Sequence, residues 1–69
     1  MVAYNFKNIS VLIVDSSRAM CELTKSVLQA FGVQKIYQAY DFDQGYDAYS
    51  TFHPDLIVLD WMQDPNGGL

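Results

Sequence analysis

The chain has 69 residues, of which 51% are hydrophobic and 17% charged, and its formal net charge is −4. This composition excludes a disordered tail, and four bases against eight acids argue against nucleic-acid binding by this segment. No apolar run approaches the about 20 residues that cross a bilayer, and no signal-peptide pattern is visible. The single cysteine, Cys21, is expected as a half-buried, unreactive thiol, and its isolation fits a cytoplasmic protein. No membrane partner is expected, because no apolar run is long enough to span a bilayer.

The first half of the chain predicts a buried strand followed by an amphipathic helix. Residues 9–14 form a nearly continuous apolar, β-branched run, which is typical of a strand in a parallel sheet. Ser16 or Ser17 can cap a helix over 18–31, and Gly32 follows it where a left-handed helix end favours glycine. Apolar positions at helical spacing form one stripe on this helix, made of Met20, Leu23, Thr24, Val27, Leu28 and Phe31.

The second half predicts two more strands with a helix between them. Residues 35–39 and 55–59 have strand character, and the acids of 41–43 offer caps for a helix over 43–52. The inner face of that helix is expected to carry Tyr46, Ala48, Tyr49 and Phe52. The resulting order β-α-β-α-β predicts an α/β fold. Its parallel sheet would have the strand order 2-1-3, with right-handed crossovers that place the helices on opposite faces.

Two of the three predicted strands end in an acid, Asp15 after the first and Asp60 after the third. If these strands are neighbours, the two carboxylates meet at the carboxyl edge of the sheet, where open α/β sheets bind ligands. Two carboxylates in that position repel each other unless a cation or a proton lies between them, and Mg²⁺ prefers such oxygen ligands. The alternative is that both acids simply end their strands and face solvent.

These residues resemble a known family. The segments Val11-Leu12-Ile13-Val14-Asp15 and Asp55-Leu56-Ile57-Val58-Leu59-Asp60-Trp61-Met62, followed by Pro65 and Gly68, resemble the receiver domain of bacterial two-component response regulators. The resemblance covers residues 9–69. It implies a flavodoxin-like fold and a phosphorelay in which a histidine kinase or phosphotransfer protein transfers a phosphoryl group to an aspartate with the help of Mg²⁺.

The resemblance also implies roles for individual residues. Asp60 matches the phosphoacceptor, and Asp15 matches the first acid of the metal-binding pair. The backbone carbonyl of Met62 would be a further metal ligand. Arg18 and Trp61 would lie at the rim of the active site.

The chain departs from the receiver pattern at three points. Ser16 replaces the usual second acid and is a poorer ligand, so Mg²⁺ binding should be weak or absent. Asp64 takes the usual place of a proline, and Pro65 follows one position later. The sequence ends at Leu69, so residues 1–69 are interpreted as a partial receiver domain, truncated before the third helix. It lacks the C-terminal half with the family's switch hydroxyl and lysine.

Two functions follow from this pattern. The first is a signalling segment, not an independent enzyme, that accepts a phosphoryl group on Asp60 in its full-length context. The second is a degenerate receiver that has lost phosphorylation and acts as a protein-interaction or dimerisation module, an alternative favoured by Ser16. The uncharged run of residues 56–59 predicts an exposed sheet edge, so a homodimer or an exchange of strands or whole elements is expected.

Overall fold

The structure is a computed structural model that describes residues 6–60, and it confirms the expected β-α-β-α-β order. The elements are β1 Ser10–Val14, α1 Arg18–Ala30, β2 Lys35–Ala39, α2 Phe42–Phe52 and β3 Leu56–Leu59. Each observed boundary lies within one residue of the expected one. Neither helix in the described range is long and apolar enough to cross a membrane.

The three strands form one sheet in the predicted order β2-β1-β3, and both strand pairs are parallel. Val11 lies beside Ile36 on one side and Leu56 on the other. The start of the β1–β3 pair is fixed by Ser10 and Asp55. The Ser10 backbone N–H donates to Asp55 Oδ2 at 2.8 Å, and the Asp55 N–H donates to the Ser10 carbonyl at 2.9 Å.

The central strand β1 supplies most of the core, because its side chains alternate between two covered faces. Val11 and Ile13 pack with Cys21 of α1, while Leu12 and Val14 form a second cluster with residues of β2 and α2. The two helices therefore lie on opposite faces of the sheet, as expected. All four apolar β1 side chains named here are buried.

The helix ends follow the expected capping chemistry. Ser17 is the N-cap of α1, and its hydroxyl accepts a hydrogen bond from the Met20 N–H. Asp41 has the same role for α2, where its carboxylate accepts from the Gln44 N–H at 2.7 Å. Gly32 follows α1 with φ +98°, a left-handed conformation that suits glycine because it has no Cβ.

The expected inner faces of both helices are confirmed only in part: Leu28 and Ala48 pack against the core clusters, but most of the other expected members are exposed. On α1, Cys21 is fully buried, whereas four members of the predicted stripe are 43–65% exposed. This set, called here the open stripe, consists of Met20, Leu23, Val27 and Phe31. The reason is geometric: α1 packs mainly on β1, and its apolar surface is wider than that one strand covers.

On α2 the buried residue is Gly45, while Tyr46, Tyr49 and Phe52 are exposed. A Cβ at position 45 would lie only 3.0 Å from Val14 Cγ2. The missing side chain therefore lets the helix backbone approach β1. The large aromatic side chains then lie beside the contact, and Phe52 stacks on Tyr37 with ring centroids 4.2 Å apart.

Candidate functional site

The two acids that follow strands line one cavity of about 220 Å³ at the carboxyl edge of the sheet. Asp15 and Asp60 share it with Met20 and Thr24 from the first turns of α1, and the ends of β1 and β3 form its floor. Parallel pairing of β1 with β3 brings these acids together, because it places both carboxyl ends at the same edge.

Asp15 is held firmly at this edge. It is only 7% exposed, and its Oδ1 accepts a hydrogen bond from the Ser17 backbone N–H at 2.9 Å. Its own N–H donates to the carbonyl of Ala39 at the end of β2, at 3.0 Å. These bonds orient the carboxylate and couple it to the start of α1, whose N-terminus favours negative charge.

Asp60 lies one residue beyond β3 and is half-buried. Its backbone N–H donates to the carbonyl of Val14 at 3.1 Å, which extends the ladder between β1 and β3 by one residue. This hydrogen bond fixes the Asp60 backbone beside Val14, the residue that precedes Asp15. Of the two acids, it is the one more open to a reactant in solution.

Ser16 and Arg18 occupy the loop and the first residue of α1 beside the cavity. Ser16 is exposed, so the position that carries the second acid in receivers faces solvent here. The Arg18 guanidinium carbon lies 4.5 Å from the centroid of the Tyr40 ring, in a cation–π contact on the β2 side. Neither residue is among the described residues that line the cavity.

Cys21 is a neighbour of the site, and it is fully buried where the sequence predicted a half-buried thiol. Its Sγ lies 3.4 Å from the backbone carbonyl oxygen of Asp15, to which the thiol donates. Burial raises the pKa of the Cys21 thiol, and the negative charges of Asp15 and Glu22 act in the same direction. The thiol therefore stays protonated at neutral pH and supports the β1–α1 turn as a donor.

The remaining sequence-derived site residues, Trp61 and Met62, lie outside the described residues, as do Asp64, Pro65 and Gly68. Within residues 6–60, no group of three or more His, Cys, Asp or Glu side chains is arranged to hold a metal ion. Asp15 and Asp60 are the two carboxylates that this cavity offers to a cation. That donor set suits Mg²⁺, which is commonly bound by one or two carboxylates and several waters.

Comparison with protein-family models, curated proteins and solved structures found no match for this chain. A functional interpretation therefore depends on the residues and geometry described above.

Proposed function

We propose that this chain is a receiver segment of a cytoplasmic two-component phosphorelay, in which Asp60 accepts a phosphoryl group. The observation that carries the proposal is the cavity shared by Asp15 and Asp60 at the carboxyl edge of adjacent parallel strands. The resemblance of residues 9–69 to receiver domains supports a reaction in which Asp60 receives the phosphoryl group. It implies a donor that carries a phosphorylated histidine, from a histidine kinase or a phosphotransfer protein.

The proposed transfer needs a nucleophile that is fixed but accessible, and Asp60 combines these properties. One carboxylate oxygen of Asp60 forms a bond to phosphorus, while the bond from phosphorus to the donor's histidine nitrogen breaks and the nitrogen keeps its electron pair. Asp15 accepts a hydrogen bond from the Ser17 N–H and lines the same cavity as Asp60. The two carboxylates would hold Mg²⁺, which supplies charge neutralisation for the phosphoryl oxygens.

A small-molecule phosphodonor tests this proposal without knowledge of the kinase. We expect the full 69-residue chain, incubated with acetyl phosphate and MgCl₂, to gain the mass of one phosphoryl group. Asp60→Asn should abolish the gain, because the amide is not a competent nucleophile. Asp47→Asn, which removes an exposed carboxylate on α2, is the matched control and should be labelled like the parent chain. Equal labelling of the Asp60→Asn variant would rule out Asp60 as the acceptor.

The neutral residue at position 16 predicts weak Mg²⁺ binding that one substitution can strengthen. Ser16 faces solvent and does not line the cavity, but the resemblance to receivers assigns this position, next to Asp15, to the metal site. On that assignment we expect Ser16→Asp to raise Mg²⁺ affinity roughly tenfold or more in a calorimetric titration. Ser26→Asp adds the same charge to an exposed position in the middle of α1 and should leave the affinity nearly unchanged. If both variants bind Mg²⁺ as weakly as the parent chain does, position 16 does not belong to the metal site.

A second candidate function is that of a phosphorylation-independent interaction module. The observation that favours it is the amount of apolar surface left exposed on α1 and β3. The exposed surface meets the acid cavity at Met20 and Leu59, which belong to both.

A further inference from the structure

The two edges of the sheet differ in chemistry. The β2 edge begins with exposed Lys35 and contains Gln38, whose side chain donates to Glu22 of α1 at 3.0 Å. Charged and polar residues of this kind protect an edge from further strand pairing. The β3 edge, Leu56–Leu59, carries no polar side chain, and within residues 6–60 no strand pairs with its outer side. This asymmetry identifies β3 as the edge open to another strand.

Two members of the open stripe, Met20 and Phe31, lie on the β3 side of α1. Phe31 and Leu56 line one groove, and Met20 lines the acid cavity together with Val58. The opposite side of α1 is turned to β2, where Glu22 accepts the hydrogen bond from Gln38. An unpaired strand edge and an uncovered helix surface thus lie next to each other.

We propose that β3 pairs antiparallel with β3 of a second copy about a two-fold axis perpendicular to the sheet, which produces a six-stranded sheet. Such an axis keeps both α1 helices on one face. Side chains that lie opposite each other across the two strands must point to the same face of the sheet. Since side chains alternate between faces along β3, only residues whose numbers are both odd or both even can be paired.

The backbone groups of β3 decide which residues form the hydrogen bonds. Successive residues of a strand direct their N–H and C=O groups to alternate sides. Because the Asp60 N–H donates to Val14 of β1, the backbone groups of Ile57 and Leu59 point outward.

One register uses all of these outward groups. It places Ile57 opposite Leu59 of the second copy, and the reverse, which forms four backbone hydrogen bonds. Val58 then faces its own counterpart across the axis, and Leu56 faces Asp60 of the second copy. No carboxylate lies directly opposite another carboxylate in this register, so like-charge repulsion between facing side chains is avoided.

The same arrangement covers the open stripe. Strands lie about 4.8 Å apart, so the two β1 strands, and the α1 helices packed on them, would be separated by about 14 Å. Helices in direct contact lie about 8–10 Å apart, and an inward shift of about 2–3 Å by each helix brings the two open stripes together.

The area available is sufficient for a stable dimer. The open stripe and the exposed side chains of β3 are 40–65% exposed. Large apolar residues have surfaces on the order of 150–200 Å², so the upper limit is roughly 600 Å² per copy, or about 1,200 Å² in total, with the open stripe on one face of the sheet and Ile57 on the other. That value lies at the lower end of stable protein interfaces, even before the backbone of β3 is counted. A second copy is therefore an occupant that fits both the hydrogen bonds and the apolar surface.

Cysteine cross-linking in the full chain tests the register directly. In a Cys21→Ala background, Val58→Cys should form an intermolecular disulfide under mild oxidation. Residues facing each other in a non-hydrogen-bonded antiparallel pair have Cα atoms about 4.5 Å apart, within the range for a disulfide. Leu56→Cys is the matched control on the same strand and the same face. It should stay reduced, because its counterpart would lie about 14 Å away.

Sedimentation of the chain without engineered cysteines provides the second measurement. We expect the parent chain to sediment with twice the monomer mass at micromolar concentration. Ile57→Pro should sediment with the monomer mass, because it removes an outward backbone N–H that the dimer needs and that an edge strand does not need for folding. Ile57→Ala keeps this N–H and should retain at least part of the dimer. A parent chain that stays monomeric, a dimer unaffected by Ile57→Pro, or equal cross-linking of the two cysteine variants would overturn the proposal. The second outcome would indicate an exchange of whole elements instead.

Discussion

Ile13→Ala should lower the free energy of unfolding by about 2–5 kcal/mol, as expected for truncating a fully buried aliphatic side chain. Ile13 lies in the middle strand and is only 1% exposed, packed among residues of α1, β2 and β3. A chain of this size is expected to be stable by only about 3–10 kcal/mol, so the loss is a large part of the total. Urea denaturation followed by circular dichroism measures the change in midpoint.

Tyr46→Ala is the control for the size of the truncation. It removes a larger side chain, but Tyr46 is 71% exposed, and we expect a change of less than about 0.5–1 kcal/mol. If the two variants were destabilised equally, β1 would not be the centre of the core, and the order of the strands would be in question.

Asp15→Asn should reduce the rate at which acetyl phosphate labels Asp60 by at least about tenfold. About tenfold is the smaller of the losses in activity that follow the removal of a group supporting a metal site. The substitution is chosen because the asparagine side-chain oxygen can still accept the hydrogen bond from the Ser17 N–H. The turn into α1 should therefore keep its geometry, and only the charge is lost from the cavity.

Asp43→Asn provides the comparison for net charge. Asp43 lies on α2, on the opposite face of the sheet, and its loss should leave the labelling rate within about twofold, since exposed charges at a distance are screened by salt. Unchanged labelling of Asp15→Asn would mean that the two acids share a cavity without sharing a function. Far-ultraviolet circular dichroism of both variants verifies that the fold is retained.

The positions of the two acids could be predicted from the sequence because they depend on few physical rules. A β-branched apolar run predicts a strand, and here two such runs are each followed by an acid, Asp15 and Asp60. Parallel strands joined by helices bring their carboxyl ends to one edge, so the shared cavity followed once β1 and β3 were expected to be neighbours.

The orientation of the helices could not be predicted in the same way. The apolar surface of α1 spans more than one face, so periodicity alone does not decide whether Cys21 or the open stripe faces the sheet. For α2, helix propensity disfavours a glycine at position 45, yet a Cβ there would lie only 3.0 Å from Val14 Cγ2, so glycine lets the helix approach β1. Arg18 likewise contacts Tyr40, a residue distant in sequence, which no local pattern reveals.

The central claim is that Asp60 is the phosphoacceptor, and chemical mapping of the phosphorylated residue tests it most directly. Borohydride reduces an aspartyl phosphate to homoserine, which marks the modified position for peptide sequencing by mass spectrometry. After treatment of the full chain with acetyl phosphate and MgCl₂, we expect homoserine at position 60 alone. Homoserine at Asp15 or at the acids of α2, with Asp60 unmodified, would contradict the account.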